Sequence, residues 1–175
     1  MLCYVILLAF VGCMKTTAQV NWVRIDAVRG NYSFAMPEKP ILHDTANVVF
    51  YYLDIDGIVM QVYYGDSVQL KTNVLTDELL QSNGGDELRA QAQLMQVLNK
   101  GELVSIKDIE MPIFSRTRGL DFGFKYFLGE TQAYTFCRIY RWKSGALYFT
   151  VTADIYSLDK LIAYKLDFFD SITFK

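Results

Sequence analysis

A chain of 175 residues with 17 basic and 19 acidic side chains, net charge −2, carries no polybasic footprint, which excludes nucleic acid as an expected partner. One histidine and three cysteines remove most zinc sites, so no metal ion or other cofactor is expected. They also leave any Ser-His-Asp or Cys-His centre dependent on His43 alone. Twelve Tyr, twelve Phe and two Trp favour strands, and the length suffices for one real core.

Leu2 to Met14 is unbroken by charge. The run is too short to cross a bilayer, which takes about 20 residues. Followed by Thr16-Thr17-Ala18, it reads as a signal peptide over residues 1–18, cut before Gln19, with a single α+β domain over 19–175. No Lys or Arg precedes the run, so only the α-amino group supplies positive charge. Phe10-Val11-Gly12-Cys13 offers another reading, in which residues 1–12 are a lipoprotein signal and Cys13 is acylated as the new N-terminus. Either way the expectation is export: to the periplasm, to an envelope anchor, or outright secretion. After export Cys137 stands alone, so no internal disulfide is expected.

Tyr32 to Met36 reads as a strand stopped by Pro37 and Pro40, which cannot donate to a ladder. Val48–Ile55 and Ile58–Tyr64 are strands joined by Asp56-Gly57, a pair that tolerates the positive φ of a tight hairpin. Thr76 caps a helical turn over Asp77 to Leu80, which Gly84-Gly85 breaks. Asp86 then caps a helix to about Asn99, with Leu88, Ala92, Met95 and Leu98 at helical spacing and Lys100-Gly101 closing it.

An all-β section follows, with strands at Glu102–Met111, Leu120–Phe127, Gln132–Trp142 and Ala146–Ala153. A loop over Leu128 to Thr131 sets Phe127 opposite Gln132 and Asp121 opposite Arg138. Leu120, Phe122, Phe124 and Tyr126 then share a core face with Ala133, Thr135, Cys137 and Ile139. A three-residue loop, Lys143-Ser144-Gly145, sets Cys137 opposite Val151 and keeps Thr150 and Thr152 off that face. The opposite face carries Tyr134, Phe136, Arg138, Tyr140, Trp142 and Tyr148, more aromatic than a solvated face should be. A helix from Ser157 to Phe169 and a short strand, Ile172 to Phe174, close the chain.

Trp22, the segment Tyr32-Ser33-Phe34-Ala35-Met36-Pro37, Gly57 leading into Val62-Tyr63-Tyr64-Gly65-Asp66, and the closing Phe168 to Phe174 resemble the Mog1/PsbP-like fold. That family includes PsbP-like and DcrB-like exported proteins. The resemblance covers most of the mature chain and rests on strand and turn chemistry. It implies an antiparallel β-sheet with helices packed on its faces, in a family whose members are mostly non-enzymatic binding, assembly or envelope proteins. It transfers no catalytic residue.

Asp54, Asp56 and Gly57 lack the spacing of a calcium loop and read as a hairpin turn. Asp77-Glu78 and Asp86-Glu87 fall in first helical turns, where acids complement the helix dipole. His43 beside Asp44 lacks a nucleophile motif and reads as a loop histidine. Cys137 alternates inward as a small hydrophobe. Arg116, Arg118, Lys125, Arg138, Arg141 and Lys143 cluster in the β-rich section, in part as cross-strand pairs.

The expected function is a non-catalytic, exported cell-envelope module that binds an unknown envelope protein or small ligand. Its ligand site would be the aromatic face of Tyr134, Phe136, Arg138, Tyr140, Trp142 and Tyr148, unless a helix covers that face. Membrane contact is expected only through a lipid at Cys13. The alternatives are a small hydrolase relying on His43 with a carboxylate such as Asp44, and a structural lipoprotein anchored at Cys13.

Overall fold

The computed structural model describes residues 21–46, 48–66, 86–110, 118–142 and 145–175. The leader with Cys13, the helical turn at Thr76, the Gly84-Gly85 break, Arg116 and the Lys143-Ser144 turn lie outside the described residues.

Seven antiparallel strands form the main sheet. They are β3 (Ile41–Asp44), β4 (Val48–Ile55), β5 (Ile58–Asp66), β6 (Glu102–Glu110), β7 (Arg118–Leu128), β8 (Thr131–Trp142) and β9 (Gly145–Asp154), in the order β3-β4-β5-β9-β8-β7-β6. A second sheet of three strands is built from β1 (Val23–Asp26), β2 (Tyr32–Met36) and β10 (Thr173–Phe174), in the order β1-β2-β10. Two helices, α1 (Glu87–Leu98) and α2 (Leu158–Asp170), complete the described fold, which is sheet-dominated α+β.

Each local element has a residue-level cause. The β4–β5 hairpin turns at Asp56 and Gly57, with φ of 54° and 75°, as an Asp-Gly pair allows. Asp86 caps α1: one carboxylate oxygen accepts from the backbone N–H of Leu88 at 3.0 Å and of Arg89 at 3.2 Å. Gly129, at φ 62°, opens the β7–β8 turn.

The main sheet is covered on both faces. On one face Ala92, Leu88 and Met95 of α1 pack on Leu120, Phe122, Phe124, Cys137, Ile139 and Tyr148. On the other, α2 and the small sheet bring Phe34, Met36, Leu161 and Phe168 against Met60, Val62, Phe149 and Val151. Strand β2 reaches this core because β10 returns from the C-terminus to pair with it, Phe174 opposite Tyr32.

The β7–β8 register is the expected one, with Asp121 opposite Arg138 and Phe122 opposite Cys137. The β8–β9 register is not. Trp142 pairs with Gly145 and Cys137 with Thr150, so two residues separate the strands instead of three. Tyr148, Thr150 and Thr152 therefore lie on the Cys137 face, and Phe149 and Val151 face the small sheet. Hydrophobicity selects a register only where one face is wet; here both are buried and both registers satisfy it. The threonines are satisfied on their face by hydrogen bonds, Thr135 to Thr152 at 2.7 Å and Thr150 to Gln61 at 3.2 Å. Two short strands, β1 and β3, went unanticipated, and His43 sits in β3 instead of a loop.

Candidate functional site

The two glycines of β7 set up the site. Gly119 lies opposite Tyr140, and Gly123 lies opposite Phe136. A Cβ at Gly119 would stand 2.7 Å from the Tyr140 ring, and one at Gly123 would stand 2.6 Å from the Phe136 ring. Both rings therefore lie down over bare backbone and lean toward β6.

Helix α2 covers most of this aromatic face. Phe168 is fully buried against Phe149 and Phe34. The Lys165 ammonium sits 4.3 Å from the centroid of the Phe136 ring, and burial lowers its pKa. Arg138 fastens the end of the helix. Its Nε and Nη2 donate to the two carboxylate oxygens of Asp121 at 2.6 and 2.8 Å, and its Nη1 donates to the carbonyl oxygen of Phe169 at 3.0 Å. The guanidinium also lies 4.8 Å from the centroid of the Phe169 ring. Burial opposes its charge, but Asp121 and Tyr140 outweigh that and raise the Arg138 pKa. Burial likewise raises the Tyr140 pKa.

The helix ends at Asp170, short of the β6 edge, and leaves a cleft there. It has a volume of about 420 Å³, within the 300–1,000 Å³ usual for ligand pockets. One wall is β6, from Lys107 to Glu110, and the other is the C-terminal segment, with Phe169, Asp170, Ile172 and Phe174. Arg138 and Tyr140 line it between them. Tyr140 and Phe174 meet edge to face, with centroids 5.0 Å apart.

The six aromatic-face residues expected to bind a ligand thus part company. Arg138 and Tyr140 line the cleft. Phe136 lies under Lys165 of the helix, and the Tyr134 hydroxyl donates to Gln132. Tyr148 is on the opposite face, where its hydroxyl donates to Gln91 of α1 at 2.6 Å and burial pushes its pKa up. Trp142 ends β8. The aromatic face was expected to be a ligand site unless a helix covered it, and the α2 helix covers its middle.

The cleft walls from β6 and the C-terminus were not anticipated. The spacing of Gly119 and Gly123, two pleat repeats apart on one face, is the signal that marks where rings would lie flat.

His43 is exposed and stacks on Phe50, with centroids 6.2 Å apart. Asp44 is engaged by Arg29 at 2.7 Å. Cys137 is buried, and burial raises its thiol pKa well above the ordinary value. Among the described residues no group of three His, Cys, Asp or Glu side chains stands close enough to share a metal ion.

No protein-family model and no curated protein sequence matches this chain. Solved structures do match. The chain is similar to cyanobacterial PsbP (CyanoP) from Synechocystis sp. PCC 6803, with a TM-score of 0.61 over 94% of this chain and 99% of that one, at 11% identity. The chain has the PsbP-like fold, and at this identity the likeness carries the fold alone. A protein of unknown function from Pseudomonas aeruginosa aligns over 83% of this chain and 92% of its own, at 9% identity and a TM-score of 0.44, too low to carry an argument.

Proposed function

We propose that the protein is a non-catalytic, exported envelope module that holds a partner or ligand in the cleft between β6 and the C-terminal segment. The observation that carries this reading is the cleft itself: an apolar floor of Tyr140, Phe174 and Ile172 beside a few fixed charges. Such a site grips apolar surface and orients it, and needs no reactive group. The uncharged run from Leu2 to Met14 supports export, with the cut before Gln19 or acylation at Cys13. A hydrolase built on His43 finds no support in the local geometry. The ring stacks on Phe50, and the neighbouring carboxylate of Asp44 is paired with Arg29.

The test is amide chemical-shift mapping of the mature chain against a library of small metabolites and short peptides. Binders whose shifts fall on residues 107–110, 138–140 and 170–174 support the reading. A library without binders at these positions refutes it. Mass spectrometry of the mature N-terminus tests export separately: an acylated Cys13 or a free Gln19 upholds it, and an intact Met1 in a cytoplasmic fraction removes it.

A further inference from the structure

Four consecutive residues of β6, Lys107 to Glu110, line the cleft. Successive side chains of a strand point to opposite faces. Lys107 and Ile109 stand with Arg138 and Tyr140 on the α2 face, as the pairing Ile109–Gly119–Tyr140 requires. Asp108 points the other way, where Arg89 of α1 and Arg118 hold it at 2.6 and 3.1 Å. The cavity runs along this stretch of β6, on the side where Tyr140 and the C-terminal segment stand.

That edge is the last of the seven-stranded sheet, and among the described residues no strand pairs with it. All of β6 except Ile109 is exposed. A register shift between Leu103 and Ser105 bends its first half, so the regular, pairing-competent half is the one beside the cleft. The exposed charges that line the cleft are Lys107, Asp108, Glu110 and Asp170, three acids to one base, and Asp108 is held by Arg89 and Arg118.

We infer that the cleft's partner is an extended peptide segment that adds as a strand to the outer edge of β6. It drops one apolar side chain onto Tyr140, Ile109 and Phe174 and carries basic residues toward Glu110 and Asp170. This rests on the cleft reading above and deepens it. Main-chain hydrogen bonds along the edge supply affinity, and the single apolar pocket on one face supplies register. The acidic rim disfavours segments flanked by acids. A second copy of this chain fits poorly. In antiparallel self-pairing with continuous faces, centring on Lys107 or Asp108 sets like charges opposite, and centring on Ile106 sets Glu102 against Glu110.

The test uses the mature chain and three blocked seven-residue peptides, each with a central phenylalanine among valines and threonines. One ends in lysines, one in glutamates, and one is the lysine peptide with alternate amides N-methylated. Fluorescence anisotropy reads affinity, and amide shifts read position. The lysine peptide is expected to bind at least ten-fold tighter than the glutamate peptide, with shifts on residues 107–110. N-methylation is expected to abolish binding. The variant Glu110→Lys/Asp170→Lys, changed only at exposed side chains, is expected to reverse the preference. Equal affinity for both charged peptides, undiminished binding of the N-methylated one, or no peptide binding overturns the inference. If small ligands still map to the cleft in any of those cases, the cleft reading stands and strand addition alone falls.

Discussion

Replacing Arg138 with methionine tests whether one side chain holds the C-terminal wall in place. The variant keeps most of the apolar stem and removes the guanidinium. It leaves the Asp121 carboxylate without its two charge-assisted donors and the Phe169 carbonyl without its partner. The two side chains are 18% and 20% exposed, so the pair lies between a surface bridge and a sealed one. Breaking a buried pair costs about 3–5 kcal/mol, and an exposed pair contributes about 0–1. The structure therefore predicts a loss of about 2–3 kcal/mol, the methionine sulfur replacing part of the contact with the Phe169 ring.

For a domain of this size each kcal/mol moves Tm by about 2–4 °C, so the fall should be about 5–10 °C. Urea and thermal unfolding followed by circular dichroism measure the free-energy loss and the fall in Tm, with Arg138→Met/Asp121→Leu as the control. Removing both charges leaves no stranded carboxylate, so the double variant should recover at least half of the loss. A single-variant cost below about 0.5 kcal/mol, the size of a surface pair, would refute the reasoning. So would a double variant no more stable than the single.

Tyr32→Phe should be neutral or stabilising, by up to about 1–2 kcal/mol in the same assay, because among the described residues its buried hydroxyl has no hydrogen-bond partner. A loss of 1 kcal/mol or more would show that the hydroxyl is satisfied. Gly119→Ala sets a Cβ 2.7 Å from the Tyr140 ring and 2.8 Å from Ile109. It should cost about 1–3 kcal/mol and move the amide resonances of the cleft floor, and unshifted resonances there would contradict the packing. Asp108 has its pKa lowered chiefly by the hydrogen bond from Arg89, against the opposing effect of burial, with Arg118 adding to the lowering. The depressed carboxyl stabilises the fold above its ordinary pKa of 3.8, and that stabilisation is lost as pH falls through the lower folded value. Asp108→Asn should flatten this acid limb of the stability curve, and an unchanged limb argues against the pairing. Cys137 should resist a thiol reagent in the native state and react fully in urea; rapid native labelling would contradict its burial.

The local elements were legible in the sequence wherever the chain's own chemistry made them. Asp56-Gly57 produced its hairpin, Asp86 capped its helix, and the loop from Leu128 to Thr131 set the β7–β8 register. The final short strand was expected at Ile172 to Phe174 and is observed at Thr173–Phe174. Strands β1 and β3 are four residues each and mostly exposed, and so carry little alternation to read. Arg138 and Tyr140 were picked from the aromatic face and do line the cleft. The other walls lie on β6 and on the residues after Phe168, which no local pattern connects.

By itself, then, the sequence determined the longer strands, both described helices, and how the neighbours across one tight turn pair. Those choices rest on side-chain period, caps and turn residues, all within a few residues of each other. Tertiary structure decided the rest. With α1 on one face of the main sheet and α2 with β2 on the other, either face of β9 meets apolar partners, so hydrophobicity no longer fixes its register. The same cover decided the site. A helix that stops at Asp170 leaves Arg138 and Tyr140 facing a gap at the β6 edge, while Phe136 is closed over by Lys165. Where a helix ends relative to a strand distant in sequence is set by long-range packing, which the order of residues along one strand does not contain.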